Sequence, residues 1–280
     1  MIRVGIRAHD FGKLPADELA ARIAAQGLSS VQLVLNKAIA GLDLKTGGLN
    51  SGLAAHIGGC FAQKQIQIAV LACYINPIHP DLSERATLLA WFKEHLRFAR
   101  DFGCGLVALE SGSVNADYSP NPQNHGEAAF QEMLESIAEL VAEAERFGVI
   151  VGLEAVTFHT VSTPQKMRRA LDAIGSNNLQ VVFDPVNLLS FENHRDQQRV
   201  IAESLDLFGD RIAVVHAKDF VAENGALKTV RAGGGQLDYA PLLRQLATRK
   251  PFINVVLEDA SEATARECAQ FLVRSAGGLN

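Results

Sequence analysis

Short apolar segments rich in valine, isoleucine and leucine recur along the whole chain and alternate with longer segments of helical periodicity. Continuous apolar runs of this length are typical of buried parallel strands. The segments that predict strands are residues 2–8, 30–35, 66–73, 106–110, 149–154, 179–184, 212–216 and 253–258. The sixth segment ends at Asp184, because Pro185 fixes its own backbone angle and disfavours a helical conformation in the residue before it.

Amphipathic segments between these strands predict helices, several of which begin at proline or end at glycine. The predicted helices cover residues 15–27, 53–65, 83–102, 127–147, 163–174, 196–208, 239–248 and 261–275. Strand–helix units that follow one another without a linker or a change in composition predict an α/β protein with a single (β/α)8 TIM barrel over residues 1–280. A doubly wound open sheet is the alternative, but no GxGxxG motif follows the first strand.

The last four predicted strands each have two distinct faces, since successive side chains of a strand point in opposite directions. One face is entirely apolar and suits packing against helices. The other face is mixed and carries an ionisable residue at the C-terminal end of each strand: Glu154, Asp184, His216 and Glu258. The C-terminal ends of barrel strands meet at one mouth, where the active sites of such barrels lie. We therefore expect these four side chains to form one site.

Three carboxylates and one imidazole form a donor set that suits a divalent metal ion. The oxygen-rich set favours Mn²⁺ or Mg²⁺, which prefer hard oxygen ligands. Co²⁺ and Zn²⁺ remain alternatives, although zinc usually has more nitrogen or sulfur ligands. The sequence thus predicts one divalent ion held by Glu154, Asp184, His216 and Glu258.

The overall composition favours a protein that acts on small molecules. The chain has 280 residues, 48% of them hydrophobic, and its formal net charge of −5 argues against general binding of nucleic acids. No apolar run is long enough to span a membrane, and the N-terminus shows no signal-peptide pattern. The cysteines form no CxxC pair and are predicted to be reduced core residues of a cytoplasmic protein. The sequence leaves open whether the chain forms a homo-oligomer.

Several segments resemble the xylose-isomerase-like superfamily of sugar isomerases and epimerases. These segments are GLEAV, VVFDPVNLL, VVHAKDF and NVVLED, together with CYINPIHPD and GQLDY. The resemblance covers nearly the whole chain and is specific in the order Glu, Asp, His, Glu along strands five to eight. The pattern is most similar to that of ketose 3-epimerases and hydroxypyruvate isomerases. It implies that Glu154 and Glu258 are both metal ligands and acid–base groups.

The resemblance and the expected metal site together imply a sugar isomerase or epimerase with a small carbohydrate or keto-acid substrate. A divalent ion bound to the oxygens of a ketose acidifies the proton next to the carbonyl and stabilises the enediolate that forms. One carboxylate removes this proton and a second returns a proton. Two alternatives remain open: a metal-dependent dehydratase of the inosose or dehydroshikimate type, and a non-catalytic barrel that only binds sugar.

Two positions depart from the pattern of the ketose 3-epimerases, which carry a substrate-contacting histidine and glutamate there. This chain has Asn187 and Thr160 at these positions, with His159 next to Thr160. An asparagine amide can donate and accept hydrogen bonds but cannot become charged. We therefore expect Asn187 to recognise a neutral hydroxyl or carbonyl group, His159 to make a further contact, and free ketohexoses to be poor substrates.

Other polar residues near the predicted strand ends are further candidates for substrate binding. Glu110 ends the fourth strand on its inward face, where it contacts either the substrate or a structural ion-pair partner. His9 follows the first strand and is placed at the barrel mouth. Lys218 lies two residues beyond His216 on the same strand face, where it either neutralises a carboxylate or orients a substrate oxygen.

Two further groups of residues have less specific interpretations. Arg231 with the glycines at 233–235 is either a phosphate cradle or a flexible loop. The histidines in predicted helices and loops are expected at the surface or at helix caps; they are His56, His95, His125 and His194.

Overall fold

The apolar strands form a closed barrel in this computed structural model, which describes residues 1–277. The strands are β1 (Arg3–Arg7), β2 (Ser30–Leu33), β3 (Gln67–Ala72), β4 (Leu106–Glu110), β5 (Ile150–Glu154), β6 (Leu179–Phe183), β7 (Ile212–Glu223), β8 (Ala226–Arg231) and β9 (Asn254–Leu257). The barrel strands pair in parallel in the order β1–β2–β3–β4–β5–β6–β7–β9, and β9 pairs again with β1. The predicted (β/α)8 TIM barrel is therefore confirmed.

Helices connect the strands and surround the barrel. They are α1 (Ala16–Ala25), α2 (Leu35–Ala38), α3 (Ser51–Gln63), α4 (Leu82–Phe98), α5 (Glu127–Phe147), α6 (Pro164–Ile174), α7 (Gln197–Phe208), α8 (Ala240–Arg249) and α9 (Ala265–Ser275). Local signals set several ends. Thr163 caps α6 by accepting a hydrogen bond from the Lys166 amide, and α5 ends at Gly148, which adopts the left-handed conformation with φ of 61°.

Two predictions about helices were wrong. The helix predicted for residues 83–102 ends at Phe98, and the chain reaches Gly103 through a turn in which Gly103 has a φ of 73°. His95 of this helix is not at the surface but is 2% exposed, because the helix packs this side of its last turns against the barrel together with Phe92 and Leu96. The short helix α2 was not predicted, since the apolar pattern of β2 continues into it.

The two faces of the barrel strands contribute to separate apolar cores. Small and branched side chains fill the barrel interior, among them Ala108, Val182, Val214 and Val256. Gly152 is part of this layer, and a Cβ atom there would lie 2.9 Å from Cγ2 of Val182. The opposite strand faces form one large core with the surrounding helices. This arrangement agrees with the predicted division into a mixed inner face and an apolar outer face.

The seventh strand differs from its prediction, because it continues beyond His216 as far as Glu223. It then forms an antiparallel hairpin with β8, whose only partner strand within residues 1–277 is β7. The turn consists of Asn224 and Gly225, and both have positive φ angles, 51° and 78°. An Asn-Gly pair between apolar segments is the strongest short-range signal for a two-residue hairpin. That signal is present in the sequence and could have predicted this element.

Parallel strands bring the C-terminal ends of the barrel strands together at one mouth. Glu154 ends β5, Asp184 follows β6, His216 lies within β7, and Glu258 follows β9. The neighbouring pairs β5–β6, β6–β7 and β7–β9 fix the order of these residues around the mouth. In the described residues, every helix is too short or too polar to cross a lipid bilayer.

Candidate metal centre and active site

Glu154, Asp184 and His216 meet at the barrel mouth. Each offers one ligand atom, and these atoms all lie within 4.8 Å of one another. All three side chains are at least 95% buried. Among residues 1–277, Glu258 is not part of this closest group, although its Oε1 atom lies 3.2 Å from Nδ1 of His216. The structure therefore brings the four predicted ligands together, with Glu258 at the edge of the set.

Asp184 is held rigidly by the chain that follows it. Its Oδ1 atom accepts hydrogen bonds from the amides of Val186 at 2.8 Å and Asn187 at 3.2 Å, at the start of a short 3-10 turn. Among the residues that the structure describes, its Oδ2 atom has no donor in hydrogen-bond geometry, although Nζ of Lys218 lies 2.8 Å away. Burial raises the pKa of Asp184 to about 6, while Lys218 opposes this shift. Oδ2 thus retains a lone pair for a cation at the centre of the group.

Lys218 bridges two of the carboxylates. Its Nζ atom lies 2.8 Å from Oδ2 of Asp184 and 2.9 Å from Oε2 of Glu258. Burial alone would lower the pKa of Lys218, but the surrounding carboxylates raise it. Burial would raise the pKa of Glu258, but Lys218, His216 and Arg7 lower it to about 2. Of the two roles considered for Lys218, these contacts correspond to neutralising a carboxylate.

His216 faces both glutamates with one nitrogen atom. Its Nδ1 atom lies 3.2 Å from Oε1 of Glu154 and 3.2 Å from Oε1 of Glu258. Its other nitrogen, Nε2, lies 2.7 Å from Oε1 of Gln32. Burial would lower the pKa of His216, but Glu154 and Glu258 raise it to about 9. At this pKa the imidazole carries a proton on both nitrogens near neutral pH. It can bind a metal ion through Nδ1 only after Nδ1 has lost its proton.

Gln32 was missed by the sequence analysis. It is completely buried on β2, and its Nε2 atom donates a hydrogen bond of 2.7 Å to the hydroxyl of Tyr74. The signal that could have identified it is a single large polar side chain within a predicted buried strand. Since His216 depends on Gln32 for its only contact at Nε2 among the described residues, Gln32 fixes the orientation of the imidazole.

Asn187 lies in the mouth and contacts Glu154. Its Nδ2 atom donates a hydrogen bond of 2.8 Å to Oε1 of Glu154. The second N–H bond and the carbonyl oxygen of this amide remain for a substrate. Thr160, the other position that departs from the ketose 3-epimerase pattern, is fully buried, and its hydroxyl donates a hydrogen bond of 3.0 Å to the carbonyl of Gly112. Thr160 therefore supports the loops after β4 and β5.

A cavity of about 520 Å³ opens above these residues at the barrel mouth. Its walls include every residue predicted to bind substrate: Asn187, His159, Glu110, His9 and Lys218. Arg7, Lys37, Tyr74, Tyr118 and Phe158 also line it. A larger cavity of about 1170 Å³ lies at the opposite end of the barrel, and its lining contains no carboxylate or histidine. Of these two cavities, the mouth cavity is the one lined by carboxylates and histidines.

His159 and Glu110 form a pair on one side of this cavity. Nδ1 of His159 lies 3.4 Å from Oε2 of Glu110, and neither ring nitrogen has a partner in hydrogen-bond geometry among the described residues. The ring is 1% exposed and packs edge-on against Phe158. Burial lowers the pKa of His159 to about 4, and burial and the nearby Glu154 raise the pKa of Glu110 to about 7. An uncharged imidazole and a weakly acidic carboxyl group thus face the cavity.

His9 lies on the other side of the cavity. It belongs to a 3-10 turn, Ala8–Phe11, rather than to the tip of β1. Its Nδ1 atom is buried without a hydrogen-bond partner among residues 1–277. Burial, Arg7 and Lys37 lower the pKa of His9 to about 4. The side chain is thus neutral and has an unused polar atom.

The glycine-rich loop after Arg231 is not free to bind a phosphate. The amides of Gly233 and Gly235 both donate to Oδ2 of Asp219, at 3.2 and 3.0 Å. The amide of Leu237 donates to the other carboxylate oxygen, Oδ1, at 2.8 Å. A side-chain carboxylate therefore occupies the cradle that a phosphate would need, and the loop is neither a phosphate site nor an unrestrained segment.

The donor set fits a divalent cation. Three buried carboxylates and one imidazole meet within a few ångström, and Asn187 and Gln32 orient two of them from outside. Such outer contacts are typical of metal sites, where they fix the direction of each ligand atom. The ammonium of Lys218 competes with a metal ion for two of these carboxylates, because it already partly neutralises Asp184 and Glu258. Glu154, Asp184 and His216 can hold an ion, with Glu258 beside them.

Comparisons with known proteins agree with this architecture. The family model described as xylose isomerase-like TIM barrel matches residues 11–274. A D-tagatose 3-epimerase-like protein superposes with a TM-score of 0.75 at 15% identity, over 99% of this chain and 98% of that chain. The IolI protein with a bound zinc atom gives the same values of TM-score, identity and coverage. The probable 3-DHS dehydratase AsbF from Bacillus anthracis has a TM-score of 0.71 at 12% identity, over 98% of this chain and 99% of that chain. No curated protein sequence matches the chain.

Proposed function

Because the chain belongs to the xylose isomerase-like TIM barrel family, we propose that it is a divalent-metal-dependent isomerase or epimerase that moves a proton next to a carbonyl group. The substrate is a small carbohydrate or a keto-acid. The cavity of about 520 Å³ has room for a molecule of this size. The structural neighbours include a D-tagatose 3-epimerase-like protein, which supports this reaction class.

The arrangement of Glu154 and Glu258 is the observation that carries the proposal. Both carboxylates line the cavity, and each has an oxygen 3.2 Å from the same nitrogen of His216. A site that only binds sugar has no need for two carboxylates at one carbon, whereas removal and return of a proton need an acceptor and a donor. A divalent ion held there would draw electrons from the substrate carbonyl and balance the negative charge that develops when the proton leaves.

The two glutamates have different surroundings and therefore different roles. Glu154 is contacted by the neutral amide of Asn187, whereas Glu258 is contacted by the cations Lys218 and Arg7. Nearby cations weaken a carboxylate as a base, and neutral donors weaken it less. We assign proton removal to Glu154. Glu258 returns a proton on the other side of the carbon. Since Glu258 is ionised beside Lys218, it takes that proton from the Lys218 ammonium, 2.9 Å away. Solvent then reprotonates Lys218, and Glu154 releases its proton to solvent.

Residues on the cavity walls orient the substrate in this proposal. His159 and Glu110 offer one donor and several acceptors to hydroxyl groups, and Asn187 offers an amide. Phe158 and Tyr118 pack against His159 and limit its movement. Since His159 has no protein partner in hydrogen-bond geometry among the described residues, a substrate hydroxyl would satisfy a buried polar group.

A dehydratase is the second candidate function. The probable 3-DHS dehydratase has the same fold, and loss of a β-hydroxyl group begins with the same removal of a proton next to a carbonyl. The weakly acidic Glu110 could protonate the departing hydroxyl group, because its pKa is raised to about 7 by burial and by Glu154. The two candidate functions are distinguished by their products, which are a dehydrated compound for the dehydratase and an isomer or epimer for the first candidate.

Exchange of substrate protons with deuterated water tests the proposal directly. Free ketoses, keto-acids and inososes are incubated with the protein and Mn²⁺ or Mg²⁺, and the proton spectrum is followed with time. We expect metal-dependent exchange next to the carbonyl together with an isomer or epimer as product. A dehydrated product would support the second candidate. Binding without exchange by any compound would contradict the proposal and support a binding barrel.

We predict that Glu154→Gln and Glu258→Gln each lower kcat by about 10²- to 10⁴-fold at saturating metal, because glutamine keeps an oxygen but cannot accept a proton. Glu135→Gln is the matched control, since Glu135 is exposed on α5, and its kcat should not change. Circular dichroism should be the same for all variants. Less than about a tenfold loss for both site variants would contradict the assigned roles.

A further inference from the structure

Lys37 brings an unmatched positive charge to the wall of the mouth cavity. It belongs to α2, lines the cavity and is exposed. Within residues 1–277, no carboxylate oxygen lies within 4.0 Å of its ammonium group. Its Nζ atom lies over the ring of Tyr74, 5.4 Å from the ring centroid. The aromatic face holds the ammonium at the cavity without cancelling its charge.

The other cations of the cavity are matched by carboxylates. Arg7 contacts Asp10 at 3.2 Å, Asp259 at 2.9 Å and Glu258 at 3.6 Å. Lys218 contacts Asp184 and Glu258 at 2.8 and 2.9 Å. Lys37 therefore differs from both, because its charge is available to a ligand.

His9 supplies a second polar group on the same wall. The 3-10 turn that carries it packs against α2. The backbone amide of Leu14 also donates a hydrogen bond to the carbonyl of Ala38, at the end of that helix. Nδ1 of His9 is buried and has no hydrogen-bond partner in the described part of the chain. Burial lowers the pKa of this imidazole, and the charges of Arg7 and Lys37 lower it further. A neutral imidazole can donate one hydrogen bond to an oxygen of an anion, and an ammonium group can donate three.

This wall lies across the mouth from most of the predicted metal ligands. In the barrel order, β1 and β2 are opposite β5 and β6, which carry Glu154 and Asp184 at their ends. His9 follows β1 and Lys37 follows β2. A substrate whose carbonyl end lies at Glu154 would thus extend its other end toward Lys37 and His9.

We propose that Lys37 and His9 form a subsite for an anionic group, a carboxylate or a phosphate, at the end of the substrate away from Glu154 and Asp184. The role of this subsite in catalysis rests on the proposed function. The binding of an anion at Lys37 and His9 does not depend on that function. It narrows the substrate class to keto-acids, sugar acids and sugar phosphates. Neutral ketoses lack the group that would pair with Lys37 and bind more weakly.

Anion binding to the metal-free full-length protein tests the subsite without any turnover. The probes are inorganic phosphate and acetate, and binding is measured by calorimetry for the unaltered protein and for Lys37→Met, Lys37→Arg and His9→Gln. Charge-assisted hydrogen bonds are worth enough to predict a loss of about tenfold in affinity for Lys37→Met. Lys37→Arg should keep the binding, and His9→Gln should weaken it. The probe that binds more tightly shows whether the anionic group of the substrate is a phosphate or a carboxylate.

Lys64→Met is the matched control, because Lys64 is exposed and lies outside the cavity. Its affinity for both probes should equal that of the unaltered protein. Equal affinities in the unaltered protein and in Lys37→Met, or no binding of either probe, would overturn the subsite. An equal loss in Lys64→Met would do so as well, since it would show a general charge effect.

Kinetics with a matched pair of substrates link the subsite to the reaction. Fructose 6-phosphate and fructose are compared in the deuterium exchange assay with Mn²⁺. Lys37→Met should raise KM about tenfold for the phosphate ester and leave KM for fructose unchanged. An equal change for both compounds would overturn the subsite. If neither compound exchanges, the binding measurement alone decides the subsite, so failure of the proposed function and failure of the subsite are distinguishable.

Discussion

Gln32 determines which nitrogen atom His216 presents to the two glutamates. Its side-chain oxygen lies 2.7 Å from Nε2, so that Nε2 carries a proton and Nδ1 faces Glu154 and Glu258. The hydroxyl of Tyr74 fixes Gln32 in turn, at 2.7 Å from its Nε2 atom. A ligand histidine generally needs such a partner, because an unrestrained ring can turn its nitrogen atoms away from the ion.

We predict that Gln32→Leu lowers the affinity for Mn²⁺ by about 10- to 100-fold, because the imidazole of His216 loses the acceptor that orients it. The affinity is measured by titration calorimetry. Gln67→Leu serves as the control, since Gln67 is exposed at the start of β3, and this variant should bind Mn²⁺ as the unaltered protein does. An unchanged affinity in Gln32→Leu would show that His216 does not depend on this contact.

The hairpin of β7 and β8 supports the active site from outside the barrel. Asp219 is 1% exposed at the base of the hairpin, and its carboxylate accepts hydrogen bonds from four amides: Phe220, Gly233, Gly235 and Leu237. A Cβ atom at Gly235 would lie 2.2 Å from the carbonyl oxygen of Phe220, so this close turn requires glycine. Further on, the hydroxyl of Tyr239 donates to the carbonyl of Lys218 at 2.6 Å. Tyr239, at the start of α8, thus holds the backbone of Lys218 in β7.

At this scale we predict that Asp219→Ala lowers the free energy of unfolding by at least about 3 kcal/mol, because several buried amides lose a charged acceptor at once. Urea denaturation followed by circular dichroism measures the change. The control is Asp206→Ala, which removes an exposed carboxylate from α7 and should have little effect. A loss below about 1 kcal/mol for Asp219→Ala would mean that water replaces the carboxylate.

Over the whole molecule, buried histidines connect stability to pH. His95 is 2% exposed and contacts Trp91, whose ring centroid lies 4.4 Å away. Burial lowers its pKa to about 4, against a weaker opposing effect of the Trp91 carbonyl and Glu94. The folded state therefore favours the neutral imidazole. The stabilisation is complete above the ordinary pKa of about 6.5 and is lost as the pH falls through 4, because the unfolded chain takes up the proton first.

We predict that the unaltered protein loses stability between pH 6.5 and pH 4, and that His95→Gln removes on the order of 3 kcal/mol of that loss. Free energies of unfolding at several pH values, compared between the two proteins, provide the measurement. His56→Gln is the control, since His56 is exposed on α3, and its pH profile should follow that of the unaltered protein. Parallel profiles for His95→Gln and the unaltered protein would contradict the prediction.

The sequence by itself determined the barrel and the residues at its mouth. Each apolar run formed a barrel strand, within a few residues of its predicted bounds except for β7, which continues to Glu223. The strand β4 matched its prediction, Leu106–Glu110. The alternation along β5, β6, β7 and β9 placed Glu154, Asp184, His216 and Glu258 at one end and on the inner face. These features are local, because strand periodicity and Asp-Pro or glycine stops act over a few residues.

Only the tertiary structure decided which side chains contact each other at the mouth. Gln32 reaches His216 across 184 positions of sequence, and Lys218 lies between Asp184 and Glu258. The burial of His95 and the capture of the glycine-rich loop by Asp219 were likewise not predicted. Such contacts depend on barrel closure, which sets the distances between strands that are remote in sequence. Periodicity gives the direction of a side chain, whereas its partner depends on packing across the barrel.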